Sequence, residues 1–167
     1  MWARQSGAMI QFCNHTSQSM IALLQRVTKA AVEVNGRTIA AIGPGLLVLV
    51  AVEKDDSETQ VTRLASRLVK YRVFPDETGR MNLDVQQANG EVLLVPQFTL
   101  AADTDRGNRA SFTPAASPAE GQRLYEEFVR EVNRLFPRVY SGKFGAEMQV
   151  SLVNDGPVTF WLQVRQN

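Results

Sequence analysis

Apolar and polar positions alternate with two different periods along this chain, and the change of period marks the elements. Residues 21–27 (IALLQRV) read as a strand. Residues 30–42 (AAVEVNGRTIAAI) alternate on both sides of Asn35-Gly36, a pair that strongly favours a two-residue hairpin. Residues 43–52 (GPGLLVLVAV) begin with turn residues and continue as an unbroken apolar run, which predicts a central strand buried on both faces. The period then lengthens. Val61, Leu64, Ala65, Leu68 and Val69 fall on one face of a helix, with Ser57 and Gln60 as a capping box in front of it. Residues 71–74 (YRVF) predict a short strand, 91–100 (EVLLVPQFTL) a longer one, and 101–116 a polar loop.

A second helix is marked by Ser117 as cap, Pro118 at the first helical position and Glu120 closing the box. Leu124, Phe128, Val132 and Leu135 line its apolar face, and Pro137 stops it. Residues 148–153 (MQVSLV) and 158–164 (VTFWLQV) both read as strands, so Asn154-Asp155-Gly156-Pro157 predicts a hairpin tip. Many strands with two separated amphipathic helices predict an α+β fold. Its core is a curled, antiparallel-rich, barrel-like β-sheet with both helices packed outside. No repeat or low-complexity tract interrupts residues 20–167, which are read as one domain. Residues 1–19 show no period and are read as a disordered extension.

Composition narrows the chemistry. The only Cys (Cys13) and the only His (His15) lie in that extension. Without Arg4 the basic count falls to 17, equal to the acidic count, so the domain carries no net charge. Sites built on an imidazole base, Cys/His zinc sites and disulfides are therefore not available to residues 20–167. No metal and no cofactor is expected. No apolar run approaches the ~18 residues of a membrane span, and no signal peptide is visible; a cytoplasmic location is expected. A neutral domain is not a general nucleic-acid binder, so any RNA contact is local. Arg63, Arg67 and Lys70 share one face of the first helix, and read most simply as a solvated face. Arg106 and Arg109 in the 101–116 loop are better placed to touch an anionic partner. At 96–100 (PQFTL) an extended strand end would put Gln97 and Thr99 on one face and Phe98 on the other.

Four stretches, "MIALLQRV", "GLLVLVAVEKDD", "MNLDVQQANGEVLLVPQFTLAADT" and "FGAEMQVSLVNDGPVTFWLQV", closely resemble the D-aminoacyl-tRNA deacylase family from Met20 to Val164. That family has two signatures, Ser-Gln-Phe-Thr-Leu and Asn-x-Gly-Pro-Val-Thr, and the second is intact at 154–159. The resemblance implies an enzyme that hydrolyses the ester of D-aminoacyl-tRNA, and of glycyl-tRNA for alanine, at the tRNA 3′ end. It implies a homodimer in which Gly156-Pro157, joined by a cis peptide, reaches into the partner's active site and bars L-amino acids. It implies Gln97, Phe98 and Thr99 as the catalytic segment, Arg26 as a lock on the gate, and Met148 lining the pocket near it. Such a gate has a physical logic: a locked backbone cannot flex aside as a side chain can, and a 1,000-fold ratio requires only about 4 kcal/mol. Two residues depart from the pattern. Pro96 stands where the family has Ser, which removes a hydroxyl and an N–H, and Ala110 stands where it usually has Pro. Pro96 keeps one alternative open, a non-catalytic dimeric module that binds an RNA end or a small ligand on the same fold.

Overall fold

A computed structural model describes residues 19–165. Its frame is one long strand, β1 (Ser19–Val34), which joins in a single element the two strands expected over 21–34. One edge of β1 is shared: β3 (Gly45–Ala51) pairs with its first half and β2 (Arg37–Ile42) with its second, both antiparallel. The β1–β2 connection is the predicted Asn35-Gly36 turn, with φ of 51° and 73°, the left-handed values that two-residue hairpins require. The other edge of β1 is taken along its whole length by β8 (Gln149–Arg165). Beyond β3 the sheet continues in parallel through β6 (Glu91–Pro96) to β7 (Val139–Ser141). A small β4–β5 ribbon (Phe74–Pro75 with Met81–Leu83) stands apart.

The apolar run of β3 is explained by its two covered faces. Leu46, Val48 and Val50 face α1 (Glu58–Val69) and α2 (Pro118–Leu135), packing with Leu64, Leu68, Leu124 and Phe128. Leu47 faces inward, into a second core with Val27, Val32, Leu93 and Val95 that the curl of the sheet encloses. Both helices start as predicted. Ser57 N–H donates to Gln60 Oε1 at 2.9 Å, and Ser117 Oγ accepts from Glu120 N–H at 3.4 Å. The Glu120 side chain does not close a box; it pairs with Arg123 instead. Leu135, expected on the buried face of α2, is only half-buried.

Two further expectations are corrected. The C-terminal segment is not a hairpin. β8 is one strand that pairs with β1 on both sides of Asn154-Asp155-Gly156-Pro157. Gln25 faces Thr159 and Val27 faces Asn154, so five steps of β8 lie against two of β1 and the surplus residues bulge outward. Ser19, assigned to the extension, opens β1; it is fully buried, and its N–H and hydroxyl donate to Glu53 Oε2 at 3.0 and 2.8 Å. Residues 1–18, with Cys13 and His15, lie outside the described residues.

Candidate active site

Pro96 is the last residue of β6. It lies opposite Val50, and one further bond follows, from Gln97 N–H to Val50 O at 2.7 Å. Pro96 has no N–H to offer a neighbour, and β7 has already ended opposite Leu94, so the ladder stops there. The chain turns at once into a 3-10 turn over Phe98–Ala101, closed by Leu100 N–H to Gln97 O at 3.2 Å. The extended 97–99 segment is therefore corrected to a turn. That turn brings Gln97 and Thr99 together, Gln97 Nε2 donating to Thr99 Oγ1 at 2.5 Å. Among the described residues, nothing accepts from the N–H groups of Phe98 and Thr99, as expected at the start of such a turn. The result is two outward main-chain donors beside a primary amide and a hydroxyl. Among the described residues, the Thr99 hydroxyl has no carboxylate or imidazole as a partner.

Beside this turn lies a mainly apolar cavity of about 260 Å³ between β3, the turn and the start of α2. Gln97 and Phe98 border it, with Val50, Gly121, Tyr125 and Phe144 behind. Tyr125 is tied down by its hydroxyl, which donates to Leu94 O at 3.0 Å; burial raises its pKa further above the ordinary phenol value. Phe98 is 56% exposed and packs on Phe112 with ring centres 5.1 Å apart. Phe112 follows a small loop closed by Asp103 and Ser111, which exchange main-chain hydrogen bonds at 2.8 and 2.9 Å. Arg106 and Arg109 sit exposed within that loop.

The Gly156-Pro157 bulge is held at its base by two side chains. Arg26 Nε donates to Asp155 O at 3.0 Å while its Nη1 donates to Val73 O at 2.7 Å, and its side chain is only 13% exposed. Asn154 closes the other side: its Oδ1 accepts from Val158 N–H at 2.7 Å, and its Nδ2 donates to Thr159 Oγ1 at 3.0 Å. The Gly156–Pro157 peptide is cis, and both residues are exposed. Gly156 has φ of +145°, and a Cβ there would lie 2.6 Å from Val158 Cγ2. No side chain but hydrogen fits. The sequence reading names Asn154 within the 154–159 signature but gives it no role of its own; the signal for one was its residue type, since Asn commonly bonds main-chain groups a few residues away.

Comparison with known proteins now adds a decisive observation. Residues 23–163 match the family model for D-Tyr-tRNA(Tyr) deacylase. The chain belongs to that family. A D-aminoacyl-tRNA deacylase of Cupriavidus necator is 58% identical over 150 residues, covering 87% of this chain and 98% of the relative. One from Escherichia coli is 58% identical over 145 residues, covering 87% of this chain and all of the relative. Among solved structures, the c-Myc DNA unwinding element binding protein superposes with a TM-score of 0.81 at 36% identity, covering 85% of this chain and 97% of that one.

Set in this family, the two features lie on separate parts of one subunit. Along β3, Arg26 is level with Leu46 and Pro96 with Val50. Four residues of strand separate these two levels by about 13 Å along the sheet. The bulge and the Gln97–Thr99 turn therefore lie at different levels of the sheet. Met148 falls on the turn's side. A Cβ on Gly142 would lie 2.9 Å from Met148 Sδ and 3.6 Å from Pro96 Cδ, so the thioether is near the end of β6 and not beside its own Gly156.

Electrostatics near β1 are unusual. Asp56 is almost fully buried, its Oδ2 accepts from Glu53 N–H at 2.8 Å, and its Oδ1 has no partner. Burial, reinforced by Glu53 and Asp55, pushes its pKa up to about 7. Burial also raises Glu53, against the opposing hydrogen bonds from Ser19. Beside this pair the main chain meets the 101–116 loop, Lys54 N–H donating to Pro114 O at 2.9 Å. Among the described residues, no three His, Cys, Asp or Glu side chains converge on a possible metal position.

Proposed function

We propose that this protein is a chirality checkpoint that acts on the 3′ end of aminoacyl-tRNA in the cytoplasm as a homodimer. As a family member it is a deacylase, a hydrolase of the ester that joins an amino acid to tRNA. The finer reading is that it cleaves D-aminoacyl and glycyl esters and spares L esters, through a gate at Gly156-Pro157 supplied by the partner subunit. The observation that carries this reading is the separation of the two features within one chain. A firmly held, exposed backbone bulge offset by about 13 Å of strand from the level of its own Gln97–Thr99 turn would act on another copy's turn. Met148, beside Pro96, would then meet the partner's gate.

The chemistry needs no cofactor. Water attacks the ester carbonyl carbon, the developing oxyanion accepts from the free N–H groups of Phe98 and Thr99, and the 3′ oxygen leaves with a proton as the terminal adenosine hydroxyl. Among the described residues, the Thr99 hydroxyl has no base to activate it. The neighbouring 2′-hydroxyl of the substrate is the better placed group to assist the attacking water. Main-chain donors also account for activity despite Pro96, because the turn supplies two N–H groups even though residue 96 supplies none.

The test uses the smallest L side chain. Glycyl-tRNA and L-alanyl-tRNA differ by one methyl group, and the gate excludes that methyl. Rapid ester loss from glycyl-tRNA with L-alanyl-tRNA spared is the expected result. Equal loss from both, or a monomer in sedimentation at micromolar concentration, contradicts the reading.

A further inference from the structure

The exposed arginines of the two helices differ in their partners. On α2, Arg123, Arg130 and Arg134 each pair with a glutamate three positions earlier, and Arg123 also pairs with Glu58. That helix presents a neutralised face. The last half of α1 and the residues after it are different. Arg63, Arg67, Lys70 and Arg72 are all exposed, and none of them makes an ion pair with a carboxylate among the described residues. Arg63 and Arg67 are partly used, donating to the main-chain carbonyls of Arg165 and Gln163 at 3.0 and 3.2 Å. Among the described residues, the Lys70 and Arg72 side chains have no such partner. In a domain of zero net charge, this is a local concentration of uncompensated positive charge.

Its position gives it meaning. Tyr71, between Lys70 and Arg72, meets Phe160 edge to face at 5.6 Å, and Phe160 lies three residues beyond Pro157. Val73 O is the second acceptor of Arg26, the side chain that holds Asp155. The basic segment is thus built onto the base of the bulge. We infer that this surface, through Lys70 and Arg72 above all, binds phosphates of the tRNA acceptor end whose terminal ester sits in the partner subunit. The inference rests on the cross-subunit reading above: a gate delivered to the partner's site carries its adjoining cations to the nucleotides that precede the terminal adenosine. Each subunit would then supply the turn for one tRNA and a phosphate grip for the other.

The double variant Lys70→Ala/Arg72→Ala tests it in the full-length protein. The probe is a fluorescently labelled, uncharged acceptor-stem minihelix ending in single-stranded ACCA, with anisotropy read from 50 to 200 mM KCl. Loss of two phosphate contacts makes the slope of log Kd against log salt shallower by about 1–2 and weakens binding roughly three- to tenfold at the low end. Hydrolysis of D-tyrosyl-adenosine, which has no phosphate, keeps the wild-type rate. The charge-conserving Lys70→Arg/Arg72→Lys variant retains the wild-type slope. An unchanged slope in the alanine variant overturns the inference, as does an equal loss on the phosphate-free ester. If the wild type left D-tyrosyl esters intact while minihelix binding still depended on this pair, the deacylase reading would fail and the phosphate surface would stand.

Discussion

Replacing Arg26 tests the gate through its support, without touching the gate itself. The guanidinium makes two hydrogen bonds to neutral carbonyls, Asp155 O at 3.0 Å and Val73 O at 2.7 Å, from a side chain only 13% exposed. Hydrogen bonds that involve a charged group contribute about 1.5–3 kcal/mol each. The ion pair with Asp155, at 3.5 Å to a carboxylate on a half-exposed side chain, adds little. Only the bond to Asp155 O holds the bulge directly, so Arg26→Ala frees the bulge by about 1.5–3 kcal/mol, equivalent to roughly 10- to 150-fold in the D:L ratio of kcat/KM. Arg26→Lys keeps the charge but cannot span both carbonyls with a planar fork, so it recovers only part of the loss. The assay is ester release from D-Tyr-tRNA and L-Tyr-tRNA, with thermal denaturation beside it to confirm folding. An unchanged D:L ratio in a folded Arg26→Ala protein refutes the view that the bulge must be held to discriminate.

Three other perturbations probe separate parts of the account. Thr99→Ala should retain most activity while a substrate ending in 2′-deoxyadenosine binds but is hydrolysed far more slowly; the opposite pattern in rate assays would make Thr99 the nucleophile. Pro96→Ser should raise turnover by adding a hydroxyl and an N–H at the strand end, where one donor to an oxyanion can be worth about 100-fold; an unchanged kcat would mean that position 96 only packs. Folded Asp56 holds its proton to about pH 7, whereas the unfolded chain releases it near pH 4, so the folded state binds more protons in between and stability falls as pH rises through that window, by at most about 4 kcal/mol. Asp56→Asn should flatten that fall and be more stable than the wild type at pH 8 in urea titration; the same pH slope in both proteins would show that Asp56 is not its source.

What the sequence made legible was mostly local. The caps at Ser57 and Ser117 and the apolar faces of both helices depend on residues within a turn or two of each other, and apart from Leu135 they appear where the pattern placed them. The Asn35-Gly36 hairpin is of the same kind. The C-terminal segment was misread because Asn-Asp-Gly-Pro has the composition of a hairpin tip, while its pairing is decided by β1, more than a hundred residues earlier. A bulge and a turn look alike until the partner strand is known. The 97–99 segment failed as a strand because β7 ends opposite Leu94 and the pairing with β3 ends at Val50 and Pro96, neither of them visible locally. The grip of Arg26 on Asp155 and Val73 spans three distant segments, and the residue types alone gave no sign of Val73.

The central claim is that backbone geometry at Gly156-Pro157, presented by a second copy of the chain, decides chirality. The most direct test is the wild-type protein incubated with D-Tyr-tRNA and L-Tyr-tRNA under identical conditions, with ester loss followed over time. The account predicts hydrolysis of the D ester at least about 1,000-fold faster, a difference of about 4 kcal/mol at the transition state. Comparable rates for the two esters, or no loss from either, would contradict it.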